Sequence, residues 1–157
     1  MRSDVTTTTR WCPVCKAPCV NGGSSLAAML RDHQACTPLP ASDIWRAREF
    51  YENVLGFEPV DVNPDTGEAT YRCAAGTWFF IHPSPAAGTN LATALAFMVP
   101  ALETEMEELR DRGVTFEEYD LPDFTTVEGV SVQPDGTKLA WFKDTEDNLI
   151  GIGQPPT

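Results

Sequence analysis

A helix that stops at a glycine and runs into a strand occurs twice in this chain, and that repeat constrains the fold more than any other feature. The first copy is Asp43-Ile44-Trp45-Arg46-Ala47-Arg48-Glu49-Phe50-Tyr51-Glu52-Asn53-Val54-Leu55-Gly56-Phe57. Ser42 or Asp43 caps its start, because a short side-chain oxygen satisfies free N–H groups of the first turn. Ile44, Ala47, Tyr51, Val54 and Leu55 recur at helical spacing as one apolar stripe. Gly56 ends the helix in a left-handed conformation that carries no Cβ clash. The second copy runs from Ala101 to Val114, with Leu102, Met106 and Leu109 as the stripe and Gly113 as the stop. A unit repeated at about half the length of the globular region marks a duplicated module.

The strands complete each module. Gln34 to Ala41 carries Pro38 and Pro40, which cannot donate ladder hydrogen bonds, so it reads as an irregular or edge strand. After the first helix come strands over 57–62, 68–73 and 77–82, separated by Asn63-Pro64-Asp65-Thr66-Gly67 and Ala74-Ala75-Gly76. Pro83 to Asn90 reads as a linker. The second module offers a strand over 91–99, the helix over 102–112 and a strand over 114–119. A loop over 120–130 leads to a hairpin around Pro134-Asp135-Gly136 and a last strand over 149–152.

Charge and composition exclude several functions. The net charge of −12 leaves no basic stripe for a nucleic-acid backbone or an anionic membrane. An apolar fraction of 42% supports a packed core. No run is long enough to span a membrane, and Met1 to Arg10 has no apolar stretch of the kind a secretion signal needs. The expected location is cytoplasmic, where cysteines are free thiols or metal ligands more often than disulfides.

Residues 1–28 differ from the rest and read as an extension, disordered or cysteine-rich. Cys12-Pro13-Val14-Cys15 is followed by Cys19. A helix over Leu26 to Gln34 sets His33 one turn before Cys36. Cys12, Cys15, His33 and Cys36 form a tetrahedral donor set of the kind that holds zinc. A single CxxC pair is equally what incidental thiols in an unstructured extension look like, and the interval from Cys15 to His33 is longer than in common fingers.

Paired strand-helix-strand-strand-strand units resemble the vicinal oxygen chelate superfamily of glyoxalases, bleomycin-resistance proteins and extradiol dioxygenases. The matching stretches are Ser42-Asp43-Ile44 through Arg48-Glu49-Phe50-Tyr51, Val54-Leu55-Gly56-Phe57, Arg112-Gly113-Val114, Phe116-Glu117-Glu118-Tyr119-Asp120, and Ala140-Trp141-Phe142-Lys143-Asp144 with Asn148. The resemblance implies an α+β fold of two βαβββ modules, forming a curved mixed sheet around one cavity. The domain would span 29–154, with module one at about 29–83, module two at about 91–154, and a tail at 155–157. It also implies that four inward positions can hold a divalent ion. Counted from the helix starts and the last turns, these are Cys36, Phe80, Ala94 and Gly151. Only Cys36 has a donor atom, whereas a mononuclear catalytic site normally takes three protein ligands. The family's Asp-Pro-x-Gly-Asn turn is here Asp144-Thr145-Glu146-Asp147-Asn148.

What remains is an apolar cavity. Strand alternation sets Trp78, Phe80 and His82 on one face and Thr77, Phe79 and Ile81 on the other. Small residues at Ala94 and Gly151 leave room for a flat organic ligand, although Trp78 and Phe80 are also what an ordinary core contains. His82 is the one candidate acid or base, with no nucleophile or second base beside it to complete a mechanism. The acidic run Glu103 to Glu108 reads as a solvated helix face. The loop after Glu117-Glu118-Tyr119-Asp120 lies where it would line the cavity mouth. The expectation is a small-molecule-binding protein with no cofactor and with homodimers possible. Two alternatives stand beside it: a metal-dependent glyoxalase-like lyase or dioxygenase, and an interaction module built on an N-terminal zinc finger.

Overall fold

The computed structural model describes residues 10–11, 18–19, 29–30 and 33–156. Two short strands, β1 (Arg10–Trp11) and β2 (Pro18–Cys19), pair antiparallel with Arg10 opposite Cys19. The first module follows as β3 (Thr37–Ala41), α1 (Ile44–Glu49), β4 (Pro59–Val62), β5 (Ala69–Arg72) and β6 (Trp78–Pro83). The second is β7 (Thr93–Met98), α2 (Leu102–Asp111), a hairpin of β8 (Asp120–Leu121) and β9 (Phe124–Thr125), then β10 (Ser131–Val132), β11 (Lys138–Lys143) and β12 (Leu149–Gln154).

The two sheets repeat one topology. Their orders are β3-β6-β5-β4 and β7-β12-β11-β10. In each, the first strand lies parallel to the last and the other pairs are antiparallel. A helix crosses over from the first strand in both, which is how parallel neighbours are joined. β3 and β7 come into contact at the seam between the sheets without sharing a ladder. Pro38 and Pro40 therefore sit on an edge strand, where the missing N–H groups cost nothing.

The helices form for the reasons their stripes give. Asp43 Oδ1 accepts from the N–H groups of Trp45 and Arg46, 3.1 Å each, and caps α1. Ile44, Ala47 and Tyr51 are buried, as are Leu102, Met106 and Leu109 of α2. Each such apolar side chain contributes about 1.5–3 kcal/mol relative to its exposed state. Three local expectations are corrected. The α-geometry of the first helix ends at Glu49, and residues 50–54 widen into a π-turn closed by Leu55 N–H on Phe50 O (3.0 Å). That wider turn presents two consecutive rings to the interior, Tyr51 toward Tyr71 and Phe79, and Phe50 toward Phe142. The strand expected over 114–119 is reduced to a single bridge, Phe116 to Phe142, and the loop expected over 120–130 contains the β8–β9 hairpin. Finally, the helix expected to reach Gln34 does not extend over His33 and Gln34. A turn closed by His33 N–H on Leu30 O (3.1 Å) leads into non-helical residues 34–36; Leu26 to Ala28, Arg31 and Asp32 lie outside the described residues.

Aromatic packing makes one core of the two modules. Tyr71 stacks on Phe79 at 4.9 Å between centroids, Phe57 meets Phe79 edge-on at 5.1 Å, and Phe57 stacks on Phe97 of module two at 5.8 Å. Such ring pairs add about 0.5–1.5 kcal/mol each beyond burial of their area.

A polar latch closes the opposite side. Glu146, with no exposed side-chain surface, accepts from the N–H groups of Ser42 (2.6 Å) and Asp43 (3.0 Å), the Ser42 hydroxyl (2.7 Å) and Arg46 Nε (2.8 Å). Asp144 accepts from the Tyr51 hydroxyl and Asn148 Nδ2, and Asn148 Nδ2 also donates to Pro40 O (2.9 Å). The last turn of module two is thus fastened to the strand-helix junction of module one. The turn keeps its bend without a glycine because Asp147 takes φ 61°, a conformation that Asp tolerates better than most residues.

Candidate functional site

Pairing register assigns the faces of the first sheet. Leu39, Ala69, Tyr71, Phe79 and Ile81 point into the helix-covered core. Trp78, Phe80 and His82 alternate with them on β6 and therefore lie on the uncovered, concave face. Trp78 and Phe80 are nevertheless buried, at 5% and 7% exposure, and His82 is half-buried. The Arg72 guanidinium lies 4.5 Å from the Trp78 ring centroid, and the two residues are cross-strand partners. The His82 ring is 5.8 Å from that of Phe80.

Cys36, a half-buried free thiol, immediately precedes β3 and lies beside Trp78. A cavity of about 280 Å³ lies there, with Cys36, Cys73, Thr77, Trp78, Ala96 and Phe97 among its walls. Burial raises the Cys73 thiol pKa, partly offset by a hydrogen bond with Thr77, so Cys73 is held in its neutral form.

The second sheet is arranged differently. Gly151 and Gly153 are buried on β12. A Cβ at Gly151 would stand 3.2 Å from Thr93 Cγ2 and 3.3 Å from Trp141 Nε1. Those two side chains are joined, Trp141 Nε1 donating to Thr93 Oγ1 over 3.0 Å. The space above Gly151 therefore holds an indole. Trp141 in turn meets Tyr119 (5.9 Å) and Phe124 (5.4 Å) edge-on, and Tyr119 and Phe124 meet each other. The β8–β9 hairpin is what brings Phe124 to this cluster. The ladder between β7 and β12 shifts between Leu149 and Ile150. At that irregularity Ala94 packs against the core; Thr93 pairs with Leu149 and Ala96 with Gly151, and it is the Thr93 side chain that reaches toward Gly151.

The structure thus brings Cys36 and Trp78 to one cavity and sets Phe80 and His82 farther along the same face. Gly151 lies on the other sheet under Trp141, and Ala94 is turned toward the core. Arg72, Thr93 and Trp141 join the concave surface and Cys73 lines the cavity beside Trp78, although none of the four is a site residue expected from the sequence. The pairing of Arg72 with Trp78 is a consequence of the short turn at 74–76; the register shift after the Thr93–Leu149 pair has no counterpart in the residue pattern.

The donor set does not suit a catalytic divalent ion. Of Cys36, Phe80, Ala94 and Gly151, three side chains have no atom that ligates, and no group of three or more His, Cys, Asp or Glu converges among the described residues. Cys12 and Cys15 of the possible zinc set lie outside the described residues, between β1 and β2 in sequence. No hydrogen bond or ion pair joins the His82 side chain to any described residue, so no partner primes it for acid–base work.

Comparison with known proteins follows this geometry. The family model of the Glyoxalase/Bleomycin resistance protein/Dioxygenase superfamily matches residues 31–152. The chain belongs to that superfamily. Solved members share its fold. A glyoxalase/bleomycin resistance protein from Catenulispora acidiphila is 20% identical, with a TM-score of 0.58 over 78% of this chain and 97% of that one. TnmS3, an antibiotic binding protein from a Streptomyces species, is 22% identical, with a TM-score of 0.58 over 82% of this chain and 99% of its own. A lactoylglutathione lyase from Agrobacterium tumefaciens is 16% identical, with a TM-score of 0.55 over 83% and 96%. At these identities the likeness concerns fold. Comparison with curated proteins finds no match. Within the superfamily both binding proteins and lyases are thus similar in architecture to this chain, and the choice between them rests on its own side chains.

Proposed function

We propose that this superfamily member binds a small, flat organic molecule on its concave face, without a catalytic metal. The observation that carries the reading is the chemistry of the four expected ligand positions. They offer one thiol, one phenyl ring and two side chains too small to coordinate, and of the four it is Cys36 that lines the cavity with the buried Trp78. Aromatic walls with few polar handles are the usual makeup of a small-molecule pocket. Trp78 supplies a stacking surface, Arg72 a cation above it, and Cys36 and Thr77 weak polar contacts. TnmS3, similar in fold, is an antibiotic binding protein, which is consistent with sequestration as the activity.

A binding screen of planar aromatic compounds followed by intrinsic tryptophan fluorescence tests the proposal. The expected result is a saturable ligand whose affinity falls at least about tenfold in Trp78→Ala, the loss typical of a central tryptophan anchor. Catalytic turnover that requires an added divalent ion would replace this reading with that of a metal-dependent enzyme.

A further inference from the structure

A second hollow lies on the helix-covered side of the second sheet, where the two modules meet. It has a volume of about 200 Å³. Phe142 and Ile152, both buried core residues, line it together with Phe97 of β7. Leu55 and Phe57 close it from module one, and Glu105 and Leu109 from α2. It is not the concave site. Strand alternation puts Phe142 and Ile152 on the face opposite to Trp141 and Gly151. Phe97 is the one lining residue shared with the cavity at Cys36 and Trp78.

Packed interiors leave few voids larger than a water molecule. The walls here are fixed by their own neighbours, Phe57 stacked on Phe97 and Phe142 meeting Phe116 edge-on. An apolar space of about 150 Å³ takes up a molecule the size of benzene. This one has room for a single ring and a short chain.

Glu105 is the one polar side chain in the lining among the described residues. It lies one turn before Leu109, so the two side chains project from one face of α2. Glu105 is half-buried, whereas Glu103, Glu107 and Glu108 are exposed. Its carboxylate makes no hydrogen bond or ion pair with another described residue. The cations close by in the fold are committed elsewhere. Arg112 donates to Val54 O (3.3 Å), Arg110 donates to Glu128 O (2.7 Å), and Lys138 pairs with Glu103.

We infer that this crevice binds a small aromatic amine, a molecule with one phenyl-sized ring, a short chain and a single ammonium group. The ring takes the apolar space among Phe57, Phe97 and Phe142, and the ammonium meets Glu105. An anion would face Glu105 with no cation in the lining to offset it, and like charges brought together oppose binding. A neutral molecule of the same size would fill the space but leave the carboxylate partly desolvated and unpaired. Aromatic walls favour the ammonium further, because ring faces attract positive charge. The inference does not depend on the ligand proposed for the concave face.

The test is an amide-shift titration of the full chain by NMR with 2-phenylethylamine. Parallel titrations use 2-phenylethanol and 3-phenylpropanoate, which keep the ring and short chain but carry no charge or a negative one. The amine is expected to shift Leu55, Glu105, Leu109 and Ile152 saturably. The alcohol and the acid should each bind at least about two- to fivefold more weakly, the effect of losing one partly exposed ion pair. Glu105→Gln changes a half-buried helix side chain outside the core, so it should fold. It should weaken the amine by a similar factor and leave the alcohol unchanged. Absence of saturable shifts overturns the inference, as do shifts confined to Cys36 and Trp78, which would place the amine on the concave face alone. So does amine binding that is unchanged in Glu105→Gln, or an alcohol that binds as tightly as the amine.

Discussion

The Tyr51 hydroxyl donates to Asp144 Oδ2 over 2.9 Å, across the boundary between the modules and with both residues buried. Burial raises the Asp144 carboxyl pKa, and its hydrogen bonds to Asn148, Glu146 and Tyr51 pull it part of the way back. Burial likewise raises the Tyr51 phenol well above its ordinary range, with Asp144 adding to the effect. Removing the donor in Tyr51→Phe should cost about 1.5–3 kcal/mol, the range for a hydrogen bond to a charged group. A lowered urea midpoint with an unchanged m-value checks this.

Glu146 has the opposite titration. Burial pushes its carboxyl upward, but the Asp43 N–H, the Ser42 hydroxyl and the Arg46 guanidinium outweigh that and hold it below its ordinary range. Its contribution to stability is therefore present above the unfolded carboxyl pKa, about 4.3. It is lost as pH falls through the lower folded value. Glu146→Gln should cost about 1–3 kcal/mol at neutral pH. The gap between wild type and variant should narrow steadily in acid. Urea unfolding of both proteins across pH measures it, and a gap that widens in acid would contradict the assignment.

Gly151 is fixed by its neighbours and not by its backbone angles. A methyl group there would press on Thr93 Cγ2 at 3.2 Å and Trp141 Nε1 at 3.3 Å. Gly151→Ala should therefore loosen the Trp141–Thr93 hydrogen bond and cost about 1–3 kcal/mol, as overpacking does. A shift in tryptophan emission together with a lower thermal midpoint is the expected signature.

Much of this architecture is legible in the residues. The two stripes, Ile44-Ala47-Tyr51 and Leu102-Met106-Leu109, bury as their spacing requires. The alternation of Trp78, Phe80 and His82 against Phe79 and Ile81 follows from strand geometry alone. What the pattern conceals depends on partners distant in sequence. The π-turn at 50–54 exists because Phe50 and Tyr51 both find aromatic neighbours from other elements. That the Thr93 side chain reaches the space above Gly151 depends on the β7–β12 pairing, which sets Thr93 opposite Leu149 and Ala96 opposite Gly151. Nor does any local signal show that Glu146 fastens the chain just ahead of a helix some 100 residues earlier, since the sequence around it reads as an ordinary acidic turn.

Elemental mass spectrometry of the full chain, beside a Cys12→Ser/Cys15→Ser variant, separates the two possible places for a metal. No stoichiometric metal should remain in the variant. Zinc in the wild type alone would belong to the N-terminal cysteines and leave the concave cavity as described.

The central claim is that binding on the concave face needs no metal. Calorimetric titration of the tightest aromatic ligand, in excess chelator and then with zinc or manganese restored, tests it most directly. The affinity should be the same in both conditions and should fall at least about tenfold in Trp78→Ala. Binding that disappears in chelator and returns with the ion would contradict the account and place a metal where Cys36 is the sole donor among the four expected positions.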